Sequence, residues 1–502
     1  MEDKTDTHRR LNDRLIDVIL VILFLATVFH ISDGVYWEDH GFYLKNIGFV
    51  ENTRELFEFP AYRIRHIDEI SWMHNTYMYY LFFKKRDLSH EDWHSPLVYD
   101  QPNLGKFVLG FSLDVFNHKV VNSSGGMISW HNSSTMLYYF PTLKGISNET
   151  GKRGYSEVDD DIKYLEYMMD YVKGTEITRI SYEDYITARK TIFAFSVISA
   201  VLVMIICHMI HQSRIASFIG GEIFLVNGIT TPTSQMVLPD MIYCFFSLIT
   251  VILAFKLFEK MRATQEEGRV TLKAALISSM IGVSTGLALS VKFSAAFMIM
   301  TIFTLLAWYA LIGSIKALAA GRRLPQARII NTAIIGLLVS SSFAFAFVCL
   351  NPYLYSDPVG NTYNMILHRV RLIRMQHNIE PEPTRIDFLV KRVFYLFFRG
   401  ILLDSDYFPT PPAYYAFHLL FVYFGALRLF RGIRTEVAGG FVGDYSILGM
   451  LILIVLLTVG SVFHIDWIRY YLPFAMFIPV LISLGIERVV KEYLWFRDRI
   501  GR

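Results

Sequence analysis

An all-α polytopic membrane protein is the architecture this sequence calls for, on three grounds. The 502-residue chain is 53% hydrophobic and 15% aromatic with only 19% charged residues, more apolar surface than a water-soluble core of this size buries. Its apolar residues gather into windows approaching the roughly 20 residues a helix needs to cross a bilayer. Charged or turn-rich segments separate those windows, so helices rather than strands are the spanning elements. A formal net charge of +3 without a dense Lys/Arg tract argues against a nucleic-acid partner.

Taken in order, the first apolar run is Leu15–Ile31. No small-residue cleavage pattern follows it, so it reads as a transmembrane helix, with a cleaved signal peptide as the alternative. Further spans are predicted at Thr191–Ile210, Ile215–Ile229, Met241–Phe258, Leu272–Val291, Phe293–Ile312, Ile329–Leu350, Ala413–Phe430, Tyr445–Phe463 and Tyr470–Ile486. The stretch Phe388–Leu403 is interrupted by Lys391, Arg392 and Arg399, which suits an interfacial helix, with a further buried helix as the alternative. The expected total is about ten to twelve helices. Cys207, Cys244 and Cys349 lie in or beside apolar runs without metal-ligand spacing and read as packing residues.

Lys and Arg near helix ends set the expected orientation. With the N-terminus inside, the cytoplasmic pieces hold Arg9, Arg10 and Arg14, then Arg214, then Lys260 and Arg262, and later Lys316, Arg428, Arg431, Arg434, Arg488 and Lys491. Both termini then face the cytoplasm, and two long polar segments, 32–190 and 351–412, face the opposite side. The expected division is an N-terminal transmembrane module over 1–350 that includes the first loop, a second large loop over 351–412, and C-terminal helices with a cytoplasmic tail over 413–502. Three N-x-S/T triplets, at Asn122, Asn132 and Asn148, fall in the first loop, where glycosylation would require an extracytoplasmic location.

Chemistry is sought in those outer segments. "VYWEDHGFY", residues 35–43, sets Glu38 and Asp39 at the mouth of the first helix, where thinning water raises the basicity of a carboxylate. The pair is read either as a general base or as a solvated marker of the helix end. "YDQPNLGKFVLG", residues 99–110, combines a proline-fixed turn with Lys106 at the start of an apolar stretch. That ammonium can meet a phosphate or simply reach up to the membrane surface.

These two stretches resemble a family. Asp39 with Tyr43 is similar to the first-loop D-E-x-x-[YF] pattern of the polyprenyl-phosphate-dependent sugar transferases that include protein O-mannosyltransferases and aminoarabinose transferases, the glycosyltransferase family 39-like group. "QPNLGK" looks like the H-P-P-L-G-K motif of the mannosyltransferase branch. "LPD" (238–240), "GLALSVKFSAAF" (286–297), "NPYLYSDPVGNTYNMILHR" (351–369) and "WIRYYLP" (467–473) follow in the family's order. The resemblance implies a GT-C-type transmembrane helix bundle whose long extracytoplasmic loops carry short interfacial helices and the active site. His40 stands where the family usually has Glu, Gln101 replaces a histidine and Asn103 a proline.

Under that resemblance Asp39 is the expected base, with Glu38 available to supply the missing carboxylate and His40 a candidate for metal binding or hydrogen bonding. Lys106, Arg369 and Arg469 are the candidates for the donor phosphate, since fixed cations stabilise a leaving phosphate. Arg369 belongs to the basic run "HRVRLIRMQH", which reads equally as a patch attracted to anionic lipid. Lys292 is a structural or donor-side cation, Asp240 an acceptor-site candidate, and Asp100 an acceptor or metal ligand. No cofactor is fixed by spacing; a divalent metal is compatible with the set.

The expected activity is transfer of mannose or another hexose from a polyprenyl-phosphate, such as a dolichyl phosphate, to an extracytoplasmic acceptor by inverting single displacement. The acceptor can be a protein Ser/Thr, a glycan or a lipid, in the plasma membrane or the endoplasmic reticulum. The competing classes are a secondary transporter, which would call for internal repeats and mid-membrane charges, and a non-catalytic membrane scaffold.

Overall fold

The computed structural model describes residues 2–36, 69, 72–73, 75–94, 101–118, 180–263, 269–321, 325–379, 388–403, 412–462 and 468–500. Among these residues the regular structure is helical. Helix α1 (Glu2–Tyr36) is followed by α2 (Leu104–Val115) from the first long loop. Next come α3 (Tyr182–His211), α4 (Arg214–Val226), α5 (Asp240–Ala263), α6 (Leu272–Val291), α7 (Ala296–Ala319) and α8 (Gln326–Cys349). The C-terminal part holds α9 (Pro358–Ile379), α10 (Leu389–Tyr395), α11 (Pro412–Gly439), α12 (Asp444–Val462) and α13 (Leu472–Ile500).

Eight of the described helices are long and apolar enough to cross a membrane, and the apolar stretch Asp444–Thr458 of α12 is a shorter ninth. Exposed Leu15, Ile22 and Phe29 on α1, and Leu337 and Phe345 on α8, give the bundle an apolar outer surface, as expected where helices meet lipid. The chain is an integral membrane protein.

One expected span is corrected. The window Ile215–Ile229 yields α4, only 13 residues and so about 20 Å long, short of the roughly 30 Å hydrocarbon layer. Asn227 ends it: its Oδ1 accepts the Ile229 and Thr230 amides, both at 2.9 Å, and its Nδ2 donates to the Phe224 carbonyl at 2.7 Å. An asparagine that bonds its neighbours' backbone offers an alternative to the helix ladder. The chain then turns through Thr230–Ser234 and reaches α5 through buried Met236, Val237 and Leu238.

Other boundaries follow from caps. Ser181 and Asp184 form a reciprocal capping box at the start of α3 (Asp184 N to Ser181 Oγ 3.1 Å, Ser181 N to Asp184 Oδ2 2.9 Å), and Thr271 accepts the Ala274 amide at the start of α6. Gln212, left-handed at φ 59°, closes α3.

Small residues set the closest crossings. A Cβ added to Gly282 of α6 would lie 2.4 Å from the Val339 carbonyl oxygen of α8. Helices α11 and α13 meet the same way, since Cβ atoms at Gly425 and Gly485 would lie 2.0 Å from the carbonyl oxygens of Leu481 and Phe421 respectively. Helix α13 is lodged in the core, with Phe474, Met476, Phe477, Ile478 and Ile482 almost wholly buried. Short connections make successive spans antiparallel, so Asp240, Lys292, Asn351 and Arg469 lie at one end of the bundle, here termed the motif end. Arg262, Lys316 and Gly439 lie at the other, where Lys316 Nζ donates to the Gly439 carbonyl at 2.6 Å.

Candidate active site

Asp240 opens α5 directly after Pro239, where the helix start favours a carboxylate. Lys292 follows the last residue of α6 with an extended backbone (φ −156°, ψ 134°), ahead of the 3-10 turn Phe293–Ala295. That break between two spans carries the Lys292 side chain to Asp240, and its Nζ pairs with Asp240 Oδ1. Asp240 is 1% exposed and Lys292 9%. Among the described residues Asp240 Oδ2 has no hydrogen-bond partner.

Two arginines lie within electrostatic range of this pair. Burial pulls the Lys292 ammonium below the ordinary lysine range; Asp240 opposes that pull, while Arg469 and Arg369 reinforce it. Arg469 sits in the 3-10 turn Ile468–Tyr471 that leads into α13, buried, with its guanidinium 5.8 Å from the Tyr470 ring centroid. Arg369 is half-buried on α9. Lys292, paired with Asp240, is therefore neighboured by two further cations carried on separate segments.

The first loop is tied to the same place. Gly105 packs under Pro239: a Cβ there would lie 2.8 Å from the Pro239 ring and 3.2 Å from Trp72. Backbone contact of this closeness admits only glycine. The Asn103 amide donates to Asn351 Oδ1 at 3.1 Å, and Asn351 Nδ2 donates to the Phe347 carbonyl at 2.6 Å and to Ser290 Oγ at 3.4 Å. His94 meets the Tyr353 ring edge-on at 5.5 Å. Lys106, 1% exposed, donates to the Gln101 carbonyl at 2.8 Å and to Asn103 Oδ1 at 3.1 Å, bonds that hold its own turn. The stretches QPNLGK, LPD, SVKFS and NPY, scattered over 250 positions, are thus joined by direct contacts.

Sequence reasoning missed the group beneath them. Glu69 is fully buried and accepts from Arg189 Nε at 3.3 Å, from Arg189 Nη2 at 3.4 Å and from the Tyr185 hydroxyl. Its Oε1 also accepts the Val237 amide at 2.7 Å, three residues ahead of Asp240. Arg189 further donates to Tyr185 Oη at 2.6 Å and stacks 4.2 Å from that ring. Tyr185 and Arg189, spaced i and i+4 at the start of α3, are one available signal; nothing in a single sequence points from them to Glu69.

Glu38, Asp39, His40 and Asp100, with Asn122, Asn132 and Asn148, lie outside the described residues. Among the described residues no group of three or more His, Cys, Asp or Glu side chains could hold a metal ion.

Residues 160–349 match the family model described as dolichyl-phosphate-mannose-protein mannosyltransferase. The chain also resembles the solved structure of the archaeal oligosaccharyltransferase AglB from Archaeoglobus fulgidus, determined with an inhibitory peptide and a dolichol-phosphate. That similarity has 9% sequence identity and a TM-score of 0.48, covering 95% of this chain and 52% of that one. This chain therefore spans about half of that protein's length. No curated protein matches the sequence. The matched residues include Arg189, Asp240 and Lys292, three of the buried ionic groups of the motif end, so this part of the chain is similar to the mannosyltransferase family.

Proposed function

We propose that the protein transfers a hexose, mannose by its resemblance to the mannosyltransferase branch, from a polyprenyl-phosphate to a hydroxyl of an acceptor at the motif end. The observation that carries this reading is the approach of Arg369 and Arg469 to the Lys292–Asp240 pair at the ends of the apolar helices. A lipid-borne phosphate needs fixed positive charge there, next to apolar helices that can take its tail.

In the reaction, Asp39 accepts the proton of the acceptor hydroxyl. The freed oxygen attacks the anomeric carbon from the face opposite the phosphate, so configuration inverts as the carbon–phosphate-oxygen bond breaks. The electron pair leaves with the polyprenyl phosphate, whose growing charge Arg469, Arg369 and Lys292 stabilise. Asp240 holds Lys292 in place and offers Oδ2 towards the acceptor side. Lys106, whose ammonium is bonded to Gln101 and Asn103, acts as a positioning residue for the loop that carries the base. Glu38 supports Asp39, and His40 and Asp100 are reserved for acceptor or metal binding. Both termini and the Arg262 end face the cytoplasm under this reading, which a Ser/Thr-bearing peptide acceptor on the outer side would satisfy.

The test is a transfer assay on the purified full chain in lipid nanodiscs, with a panel of polyprenyl-phosphate hexoses and a Ser/Thr peptide, a glycan or a lipid as acceptor. Asp39→Asn is expected to lower turnover by about 10²–10⁴, the range of general-base catalysis, with donor binding retained. Undiminished turnover in that variant, or no transfer from any donor by the parent, overturns the reading.

A further inference from the structure

The opposite end of the bundle carries a second cationic site. A cavity of about 520 Å³ opens between the end of α5, the last turns of α11 and the start of α12. By helix rise its Arg262 lies about 33 Å along α5 from Asp240, so it is separate from the candidate active site. Arg262, Arg428 and Arg431 line it, together with Thr435 and Tyr445.

Each cation has a different commitment. Arg428 pairs with Glu487, which Lys491 also reaches, and its Nε donates to Tyr445 Oη at 3.3 Å. That bond leaves the tyrosine's own proton to donate elsewhere. The Tyr445 ring is seated against bare backbone, since a Cβ on Gly432 would lie 2.3 Å from it. Arg262 is exposed and stacks over Phe441 at 5.2 Å; Arg431 is exposed too, its carbonyl accepts the Thr435 hydroxyl at 2.9 Å, and its guanidinium makes no hydrogen bond or ion pair among the described residues.

Two acids also line the cavity, and one of them is occupied. The Glu436 carboxylate accepts the amides of Gly443 (3.2 Å), Tyr445 (3.0 Å) and Ser446 (2.8 Å), and the Ser446 hydroxyl at 2.6 Å. Its charge is thereby absorbed by the start of α12. Asp444 remains as the opposing charge.

We propose that this cavity binds a phosphate ester anion, with Arg262 and Arg431 as its principal ligands and the Tyr445 hydroxyl as an additional donor. Guanidinium forks match phosphate oxygens in pairs, and the volume exceeds what a carboxylate needs. At the end of a membrane span two sources supply that chemistry, an anionic phospholipid headgroup and a soluble phosphate.

The experiment uses the full chain in detergent and follows its thermal midpoint during titration with phosphatidylglycerol, with inorganic phosphate, and with uncharged diacylglycerol as control. The midpoint should rise with at least one phosphate probe and not with diacylglycerol. R262A/R431A should need about tenfold more of that probe for half effect, R262K/R431K an intermediate amount, and Asp444→Asn less than the parent. A response to phosphatidylglycerol alone assigns the headgroup; a response to inorganic phosphate as well assigns the soluble source. Equal titration curves for parent and R262A/R431A, or an equal response to diacylglycerol, would overturn the proposal. The lysine variant keeps the test open if the alanine variant fails to fold.

Discussion

The two ends of this bundle present their proposed ligands to water to different degrees. At the motif end, Asp240, Lys292, Glu69 and Arg189 are buried and held by specific partners. At the other end Arg262 and Arg431 are exposed, and water can replace anything they touch. Burying an ion costs several kcal/mol in effective terms, so a buried pair is kept only where geometry repays it or function demands it. A surface arginine carries no such demand, and its worth lies in what it can still bind. The motif end is accordingly where a substitution should do most harm.

That contrast can be broken at three points of decreasing severity. Glu69→Ala strands Arg189 and frees the Val237 amide within a sealed site. The expected loss is about 3–5 kcal/mol of stability, read by denaturant or thermal melting, with transfer lost alongside. A melt within experimental scatter of the parent would mean that water reaches Glu69 and that the two ends are not so different.

Asp240→Asn keeps the shape and removes the charge facing Lys292. Transfer should fall about a hundredfold, roughly 2.7 kcal/mol of barrier. Pairing it with Lys292→Gln should restore the melting temperature without restoring transfer, because the double variant removes the stranded cation but not the need for one at the phosphate. Recovery of transfer in the double variant would reduce the pair to a packing device.

The third effect is a pH dependence. Burial lowers the folded-state pKa of Lys292, with Arg469 and Arg369 adding to the shift and Asp240 opposing it, so the ammonium is lost on the alkaline side sooner than an ordinary lysine would lose it. The sign for stability is the reverse of that for binding. Between the lowered folded value and the unfolded one the unfolded chain binds more protons, so stability rises with pH there while donor affinity falls. The donor KM should therefore climb below the usual lysine range, and Lys292→Arg should remove the climb. A KM profile identical in both forms would take Lys292 out of the phosphate site.

The sequence revealed the spans well because hydropathy acts locally: eight predicted windows coincide with long apolar helices. It failed at Ile215–Ile229, where the apolar run is real but Asn227 redirects the backbone, a side-chain competition that averaging over a window hides. At the site, Asp240 and Lys292 stood out as charges at helix ends, and the structure pairs them across 52 positions. Glu69 gave no such sign. It lies in a polar loop where carboxylates are ordinary, and only the fold encloses it with Arg189 and Tyr185. Gly105 likewise reads as a turn residue, whereas its role is to let Pro239 approach.

The crossing of Gly425 with Gly485 bears on how substrate reaches the site. With Gly425 pressed onto the Leu481 carbonyl and Gly485 onto the Phe421 carbonyl, α11 and α13 have no room for an acyl tail at this crossing and no slack to slide. Arg469 precedes the other end of α13, where Leu472 lies roughly 20 Å from Gly485 by helix rise, so the crossing fixes the helix that carries it from a distance. Whatever yields when a long prenyl chain enters must be another wall of the bundle, which turns attention to seams lined by branched side chains that can rotate aside.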